Sequence, residues 1–174
     1  MAWRIKIKLI GLISLLVVVV TACSISYSFN GSSIDYTKVK TISFERFANR
    51  SSGFVWGPME SMFNTALVDI FLNQTKLRQV KRGGDLQFQG EITNYDAINK
   101  GVGSDGYSNM VELRMSVRVE FINNVNPHDN FKQTFTASKE YKSSQQLSSV
   151  QEDLVTQMIK DITEQIFNAS VANW

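Results

Sequence analysis

Apolar and polar residues alternate with a period of two in three stretches of the second half of the chain. They are "DLQFQGEITNY" at 85–95, "MVELRMSVRVEFIN" at 110–123 and "FKQTFTASKEY" at 131–141. A fourth, weaker alternation covers 39–47. Clean alternation is typical of antiparallel strands with one covered face and one wet face. The pattern therefore predicts four β-strands that share one apolar face.

Two other stretches repeat their apolar residues every three or four positions, which predicts amphipathic helices. The first opens at Pro58 and runs for about four turns, and proline suits a first helical position because its missing N–H would be unpaired there. The second runs from Ser149 to about residue 169, where Ser149 and Glu152 have the spacing of a capping box. The apolar positions are Met59, Met62, Phe63, Ala66, Leu67, Ile70 and Phe71 in the first, and Val150, Leu154, Met158, Ile162, Ile166 and Ala169 in the second.

The order strand, helix, three strands, helix predicts an α+β fold. We expect a two-layer sandwich in which two helices cover one face of a four-stranded, mostly antiparallel sheet. The strands would be joined by a glycine-containing linker at 96–109 and a turn at 123–130. The uncovered face would carry Glu112, Arg114, Arg118 and Glu120 among Gln, Ser and Thr, so it can meet water, a hydrated pore or a polar partner.

The N-terminus has the pattern of a secretory leader. Arg4, Lys6 and Lys8 precede an uncharged apolar run at 9–20, which is shorter than the roughly 20 residues that a membrane-spanning helix needs. Small residues then lead to Cys23, the single cysteine of the chain, and "VTAC" resembles a bacterial lipobox with Val in place of the usual Leu. By that resemblance, 1–22 is a signal peptide and Cys23 is the acylated anchor.

Cys23 also admits two other interpretations, a free or buried thiol and a leader that stays uncleaved as a membrane anchor. A single cysteine cannot form an intramolecular disulfide, and exported chains normally use cysteines in pairs, so modification suits it better. Several acyl chains would hold the protein stably on a bilayer. The polar segment that follows predicts a lipidated tether at 23–38, ahead of a domain at 39–174. In lineages that move lipoproteins onto the cell surface, the export signal resembles an acidic cluster just after the cysteine. No Asp or Glu follows Cys23 before Asp35, which favours the periplasmic face.

Loss of the leader changes the charge balance. The whole chain has a formal charge of +2, but removing Arg4, Lys6 and Lys8 lowers the 18 basic side chains to 15 against 16 acidic ones, a net charge of −1. A chain without a basic patch gives no reason to expect a nucleic-acid partner.

Candidate catalytic groups are sparse. His128 is the single histidine and stands among turn-forming residues, while the glycines of "GVGSDG" do not join a strand to a helix as a phosphate-binding loop does. The paired carboxylates at 152–153 and at 161 and 164 are typical of a solvated helix face. The sequence therefore predicts no enzyme, no cofactor and no metal site.

The lipobox, the polar tether and the order of the elements together resemble the lipopolysaccharide-assembly lipoproteins of the LptE family. The stretches "KTISFERF", "GDLQFQGEITNY" and "IFNASVANW" are similar to the branch of that family with a short C-terminus. The resemblance implies a non-enzymatic subunit of the outer-membrane translocon. Such proteins plug and help to assemble the β-barrel protein LptD, and they assist lipopolysaccharide on its way to the cell surface.

The family's lipopolysaccharide-contacting residues do not align with this chain, so the candidate contacts come from its own sequence. Lys100, Lys139 and Lys142 are candidates for lipid A phosphates, because lysine binds phosphate as a point charge, although they also fit ordinary solvated lysines. The candidate contacts with a barrel partner are Arg114, Arg118, Trp56 and Trp174, and the two tryptophans could equally fold back on the core.

Two other functions compete with a barrel plug. A stand-alone periplasmic carrier of lipid or lipoprotein would need an apolar pocket, and helix-on-sheet packing is expected to consume the apolar positions. A purely structural envelope lipoprotein would need neither a barrel nor a lipid.

Overall fold

Two helices lie on one face of a mixed β-sheet in the computed structural model of the protein. The structure describes residues 34–52, 56–100 and 110–172. All of them belong to one compact unit, 31–174. The expected signal peptide, Cys23, most of the expected tether, most of the glycine-containing linker and Trp174 lie outside the described residues.

The elements follow the order that the periodicity predicts, with two additional short strands. The strands are β1 (Thr41–Phe44), β2 (Ala48–Asn49), β3 (Arg78–Gln79), β4 (Leu86–Lys100), β5 (Met110–Asn123) and β6 (Phe131–Lys142). The helices are α1 (Met59–Gln74) and α2 (Leu147–Phe167), with a 3₁₀ turn at Pro127–Asp129 and a π-helical turn at Asn168–Ala172. The α+β class is confirmed.

The prediction of a four-stranded, mostly antiparallel sheet was wrong in two respects. The described sheet has six strands, in the order β3-β1-β4-β5-β6 with β2 also on β4, and β1 is parallel to both β3 and β4. Parallel strands of one sheet need a crossover connection, usually through a helix, and the strand–helix–strand order of the sequence provides one. The strands β2 and β3 have two residues each, which is too short for any alternation to show.

Strand β4 is longer than predicted. A bulge shifts its register and interrupts the alternation from which the strand was predicted. Ile92 pairs with Val117 whereas Asn94 pairs with Ser116, so Thr93 is the extra residue. Beyond the bulge Tyr95, rather than Asn94, faces the helices and is fully buried. The segment 96–100, which the sequence assigned to a linker, continues the strand instead.

A cluster of aromatic rings joins the sheet to both helices. Phe71 of α1 lies with its ring centroid 4.8 Å from that of Phe88 and 5.1 Å from that of Phe167, at the end of α2. Phe88 also lies 5.4 Å from Phe44 and 4.9 Å from Phe121. Burial of each phenylalanine contributes about 1.5–3 kcal/mol, and each favourable ring pair adds about 0.5–1.5 kcal/mol. These contacts fix the helical layer on one face of the sheet and leave the other face open.

The start of α2 differs from the predicted capping box. The helix begins at Leu147, and Ser149 Oγ donates to the carbonyl oxygen of Gln146 at 2.7 Å instead of capping an N–H group. Gln151, inside the supposed box, is buried. The capping-box prediction was therefore wrong, although the helix itself is confirmed.

Candidate functional site: the open face of the sheet

The face of the sheet opposite the helices carries rows of polar side chains across β4, β5 and β6. The register gives the rows Gln89–Glu120–Lys132, Glu91–Arg118–Thr134, Asn94–Ser116–Thr136, Asp96–Arg114–Ser138, Ile98–Glu112–Glu140 and Lys100–Met110–Lys142. These positions hold five acidic and five basic side chains. We call this surface the open face.

Charges on the open face pair with one another across strands. Arg118 Nη1 lies 2.7 Å from Glu91 Oε1, and Lys132 Nζ lies 3.3 Å from Glu120 Oε2. Exposed pairs of this kind contribute little to folding, because solvent screens the two charges. Their main effect is to give a surface that is densely polar and close to neutral.

The most buried charge of the open face is Glu112, which was expected to be exposed. Its side chain is only 7% exposed, because Lys100 and Arg114 lie over it. Lys100 Nζ is 2.7 Å from Glu112 Oε2 and 3.1 Å from Glu140 Oε1, and Arg114 Nη2 is 2.5 Å from Glu112 Oε1. The hydrogen bond from Lys100, followed by that from Arg114, lowers the pKa of Glu112. The same contacts, with Glu112 first and Glu140 second, raise the pKa of Lys100.

The structure separates the three lysines that the sequence proposed as phosphate contacts. Lys100 and Lys142 both pair in register with Met110, at the same end of the open face. Lys139 pairs with Leu113 on the helix-covered side, where its Nζ lies 2.7 Å from Asp161 Oδ2 of α2. Lys142 is exposed, and among the described residues no acidic side chain forms an ion pair with it.

The other candidate partner contacts occupy different settings. Arg114 and Arg118 are half-exposed on the open face, with side-chain exposures of 43% and 50%. Trp56 is half-buried and packs against the core just before α1. Trp174 lies outside the described residues.

A groove between α1 and α2 was not expected from the sequence. It has a volume of about 620 Å³ and is lined by residues from both helices. Its apolar side chains are Met62, Ala66, Ile70 and Ile159, and its rim carries Asp69, Lys160 and Glu164. The sequence of α1 contains the apolar residues that line this groove. Met62, Ala66 and Ile70 form a second apolar stripe on the helix. It lies beside the stripe of fully buried residues, which are Met59, Phe63, Leu67 and Phe71. The sequence pattern merged both stripes into one core face.

The described residues offer little else for chemistry. They contain no group of three or more His, Cys, Asp or Glu side chains that could hold a metal ion. His128 lies exposed in the 3₁₀ turn between β5 and β6. None of the described helices is both long and apolar enough to cross a membrane.

Comparison with known protein families shows which family shares this sequence. The sequence model of the LptE family, described as lipopolysaccharide-assembly, matches residues 39–170. The chain belongs to the LptE family. Membership confirms the resemblance drawn from the sequence. It indicates that the protein is a bacterial envelope lipoprotein with a role in lipopolysaccharide assembly. A search of curated proteins finds no match.

Solved structures share the fold of this LptE-family chain at low sequence identity. An uncharacterized lipoprotein B from Nitrosomonas europaea has a TM-score of 0.50 at 14% identity, over 74% of this chain and 79% of that one. The rare lipoprotein B from Shewanella oneidensis has a TM-score of 0.52 at 12% identity, over 75% and 92%. A hypothetical protein from Chlamydia trachomatis gives 0.53 at 10% identity, over 78% and 99%. Likeness at this identity establishes the fold alone.

Proposed function

We propose that this protein is an outer-membrane lipoprotein that plugs and helps to assemble an LptD-type β-barrel and assists lipopolysaccharide on its way to the cell surface. Acylated Cys23 anchors it on the periplasmic side. The chain carries out no chemical reaction in this role. It works by filling and shaping the inside of its partner.

The observation that carries the proposal is the internal pairing of charges on the open face. The interior of a large outer-membrane barrel is polar and hydrated. Burying a charge without a partner is costly, whereas a charge that keeps its ion pair enters a polar interface at a lower cost. Pairs such as Arg118 with Glu91 and Lys132 with Glu120 therefore suit a surface that must fit inside a polar lumen.

The proposed anchor fits the start of the described domain. Ten residues, 24–33, separate Cys23 from Ile34, and a fully extended chain of that length spans about 35 Å. From residue 34 onward the chain is held by the fold, because Ile34 and Tyr36 pack against the core. Such a tether would keep the domain close to the bilayer in which a barrel is embedded.

Co-purification from mild detergent tests the plug. Arg118→Glu places a like charge beside Glu91, so we expect retention of the barrel to fall while the protein stays folded. Lys160→Glu on the rim of the helical groove makes the same change of charge away from the open face and serves as the matched control. Equal retention of a barrel by both variants, or no barrel with the unaltered protein, would overturn the proposal.

The proposed lipopolysaccharide contacts are not equivalent in the structure. Lys100 is held between Glu112 and Glu140, and Lys139 is held by Asp161. Lys142 is exposed at the same end of the open face as Lys100. Because lysine attracts phosphate as a point charge, we rank Lys142 first among the three.

The groove between α1 and α2 supports a second candidate, a periplasmic carrier. The apolar positions of the fold are not all consumed by packing, because Met62, Ala66 and Ile70 line a groove within the usual size range of ligand sites. A carrier would co-purify with lipid as a monomer, and Ala66→Trp would block the groove and remove that lipid. Absence of bound lipid from the unaltered protein would exclude this function.

A further inference from the structure

Strand β6 is the outer edge of the described sheet. It pairs with β5 along twelve residues, Phe131–Lys142, and no described strand pairs with its other side. The strand contains neither proline nor glycine, and its pairing with β5 shows no register shift. An unpaired edge presents a row of N–H and C=O groups that can bind another strand.

We propose that β6 pairs antiparallel with β6 of a second copy of this chain, around a twofold axis at Thr136. The two sheets would then form one continuous sheet, with all four helices on one side and both open faces on the other. A chain enclosed in a barrel could not pair with a second copy in this way, so the dimer would be a state of the protein that has not bound its barrel partner.

Charge complementarity selects this register. With the axis at Thr136, Lys132 lies opposite Glu140 of the partner subunit, and by symmetry Glu140 lies opposite Lys132 of the partner subunit. Directly opposite residues of an antiparallel pair share one face, so both ion pairs form on the open face. There they extend existing rows, because Lys132 already borders Glu120 and Glu140 already borders Glu112.

The helix side of the strand fits the same register. Phe131 lies opposite Tyr141 of the partner subunit, and Phe135 lies opposite Ala137 of the partner subunit. Phe131 and Tyr141 are half-buried in the single chain. The second copy would cover both, which adds apolar burial at each end of the paired strands.

Neighbouring twofold registers are unfavourable. Moving the axis to Ala137 places Lys132 opposite Lys142 of the partner subunit. Moving it to Phe135 places Phe131 opposite Lys139 of the partner subunit, and Lys132 then lies opposite Ser138 of the partner subunit instead of an acidic residue. Like charges directly opposite each other destabilise a strand pair, so the sequence of β6 favours one arrangement.

One feature restricts which strands can pair with this edge, and another leaves the edge accessible. Lys139 is a charged residue on the helix-covered side of an edge strand, a device that disfavours indiscriminate pairing. In the proposed register it faces Gln133 of the partner subunit, whose amide oxygen can accept its hydrogen bond. Gln165 Nε2 reaches the carbonyl oxygen of Thr136 only at 3.4 Å, which is long for a hydrogen bond, so α2 does little to close the edge.

Complementary charge reversal tests the proposal with the full chain in mild detergent. Lys132→Glu alone places Glu opposite Glu at both ends of the interface, and Glu140→Lys alone places Lys opposite Lys. We expect either variant to self-associate at least about ten-fold more weakly than the unaltered protein, as measured by light scattering. Mixing the two variants should restore association, because every opposed pair is then one Glu and one Lys. The double variant K132E/E140K should also self-associate.

The mixture keeps the test meaningful if one substitution disturbs folding, because a variant that assembles with its complement is folded. Lys160→Glu and Glu164→Lys reverse an exposed pair on α2 and serve as controls that should leave association unchanged. A monomeric unaltered protein, or single variants that associate as well as the unaltered chain, would overturn the proposal. So would a mixture no tighter than either variant alone, or an edge that pairs only with a strand of another protein.

Discussion

Gln151 donates a hydrogen bond from Nε2 to the phenolic oxygen of Tyr95 across 2.8 Å, inside the buried interface between α2 and β4. The bond joins residues 56 positions apart. Neither residue fits its local pattern, because Tyr95 faces the core only after the bulge at Thr93, and Gln151 is a buried polar group on an apolar helix face. The contact therefore fixes the position of α2 relative to the distal half of β4.

Removing one partner of this bond should destabilise the fold. Tyr95→Phe leaves the buried amide of Gln151 without its acceptor, and we expect a loss of about 1–3 kcal/mol in the free energy of unfolding. Urea unfolding measures the effect. The matched control is the double variant Y95F/Q151M, which removes both polar groups and should lose less than the sum of the single variants. Strict additivity would show that the bond contributes nothing of its own.

The same pair predicts weaker stability in alkali. Burial raises the pKa of Tyr95 above its ordinary value of 10.0, while the bond to Gln151 acts in the opposite direction. A group with a raised pKa in the folded state contributes its stability fully below the unfolded pKa and loses it as the pH rises through the folded pKa. Unfolding should therefore become easier above about pH 10, and Tyr95→Phe should reduce this dependence. An unchanged alkaline dependence in that variant would assign the effect to other groups.

Asp85 should make the folded protein less stable as the pH becomes acidic. Its Oδ2 accepts hydrogen bonds from the backbone N–H groups of Lys40 at 2.8 Å and Thr41 at 2.9 Å, and from Thr41 Oγ1 at 2.9 Å. The backbone bond from Lys40 is the largest cause that lowers the pKa of Asp85 below 3.8. A depressed pKa gives stability that is present above the unfolded value and lost as the pH falls through the folded value.

Asp85→Asn is the variant that checks this link. We expect it to lower the free energy of unfolding by about 1 kcal/mol at neutral pH, because the charge-assisted bonds weaken. The difference from the unaltered protein should shrink as the pH falls below the ordinary value of 3.8 and through the lower pKa of folded Asp85, where Asp85 itself becomes protonated. Urea unfolding across that range measures it, and a difference that stays constant with pH would contradict the account.

Gly90 is required by close packing within the sheet. A Cβ atom there would overlap the carbonyl oxygen of Arg118 and lie 2.5 Å from Phe47 Cε1. Gly90→Ala should therefore destabilise the fold by more than about 2 kcal/mol, as overpacking of a core does. Gly57→Ala is the matched control, because a Cβ at Gly57 meets nothing within 4 Å. Equal thermal unfolding temperatures for both variants would show that the sheet can move apart at Gly90.

The lysine hypothesis gives an ordered prediction for lipopolysaccharide binding. Lys142→Glu should weaken binding most, Lys100→Glu should weaken it less because its charge is held by Glu112 and Glu140, and Lys139→Glu should change it least. Binding to purified lipopolysaccharide at several salt concentrations measures this order, since contacts with phosphate weaken as salt screens them. An unchanged affinity in the Lys142 variant would remove the phosphate contact from the proposal.

Local periodicity predicted the parts of the fold that depend on neighbouring residues. Strands β5 and β6 and both helices follow from alternation and from three- and four-residue spacing. The parallel placement of β1, the strands β2 and β3, and the bulge at Thr93 depend on contacts distant in sequence. The same dependence on contacts distant in sequence limited the prediction of the open face. Its polar character was predicted, but the burial of Glu112 required knowing that Lys100, twelve residues earlier, crosses over it.

Site-specific photocrosslinking in cells tests the plug most directly. A photoreactive amino acid at Thr134, exposed on the open face, is compared with one at Thr156 in the groove between the helices. The account predicts that Thr134 crosslinks to an LptD-type barrel and that Thr156 does so much less. A barrel crosslink from Thr156 alone, or from neither position, would contradict it.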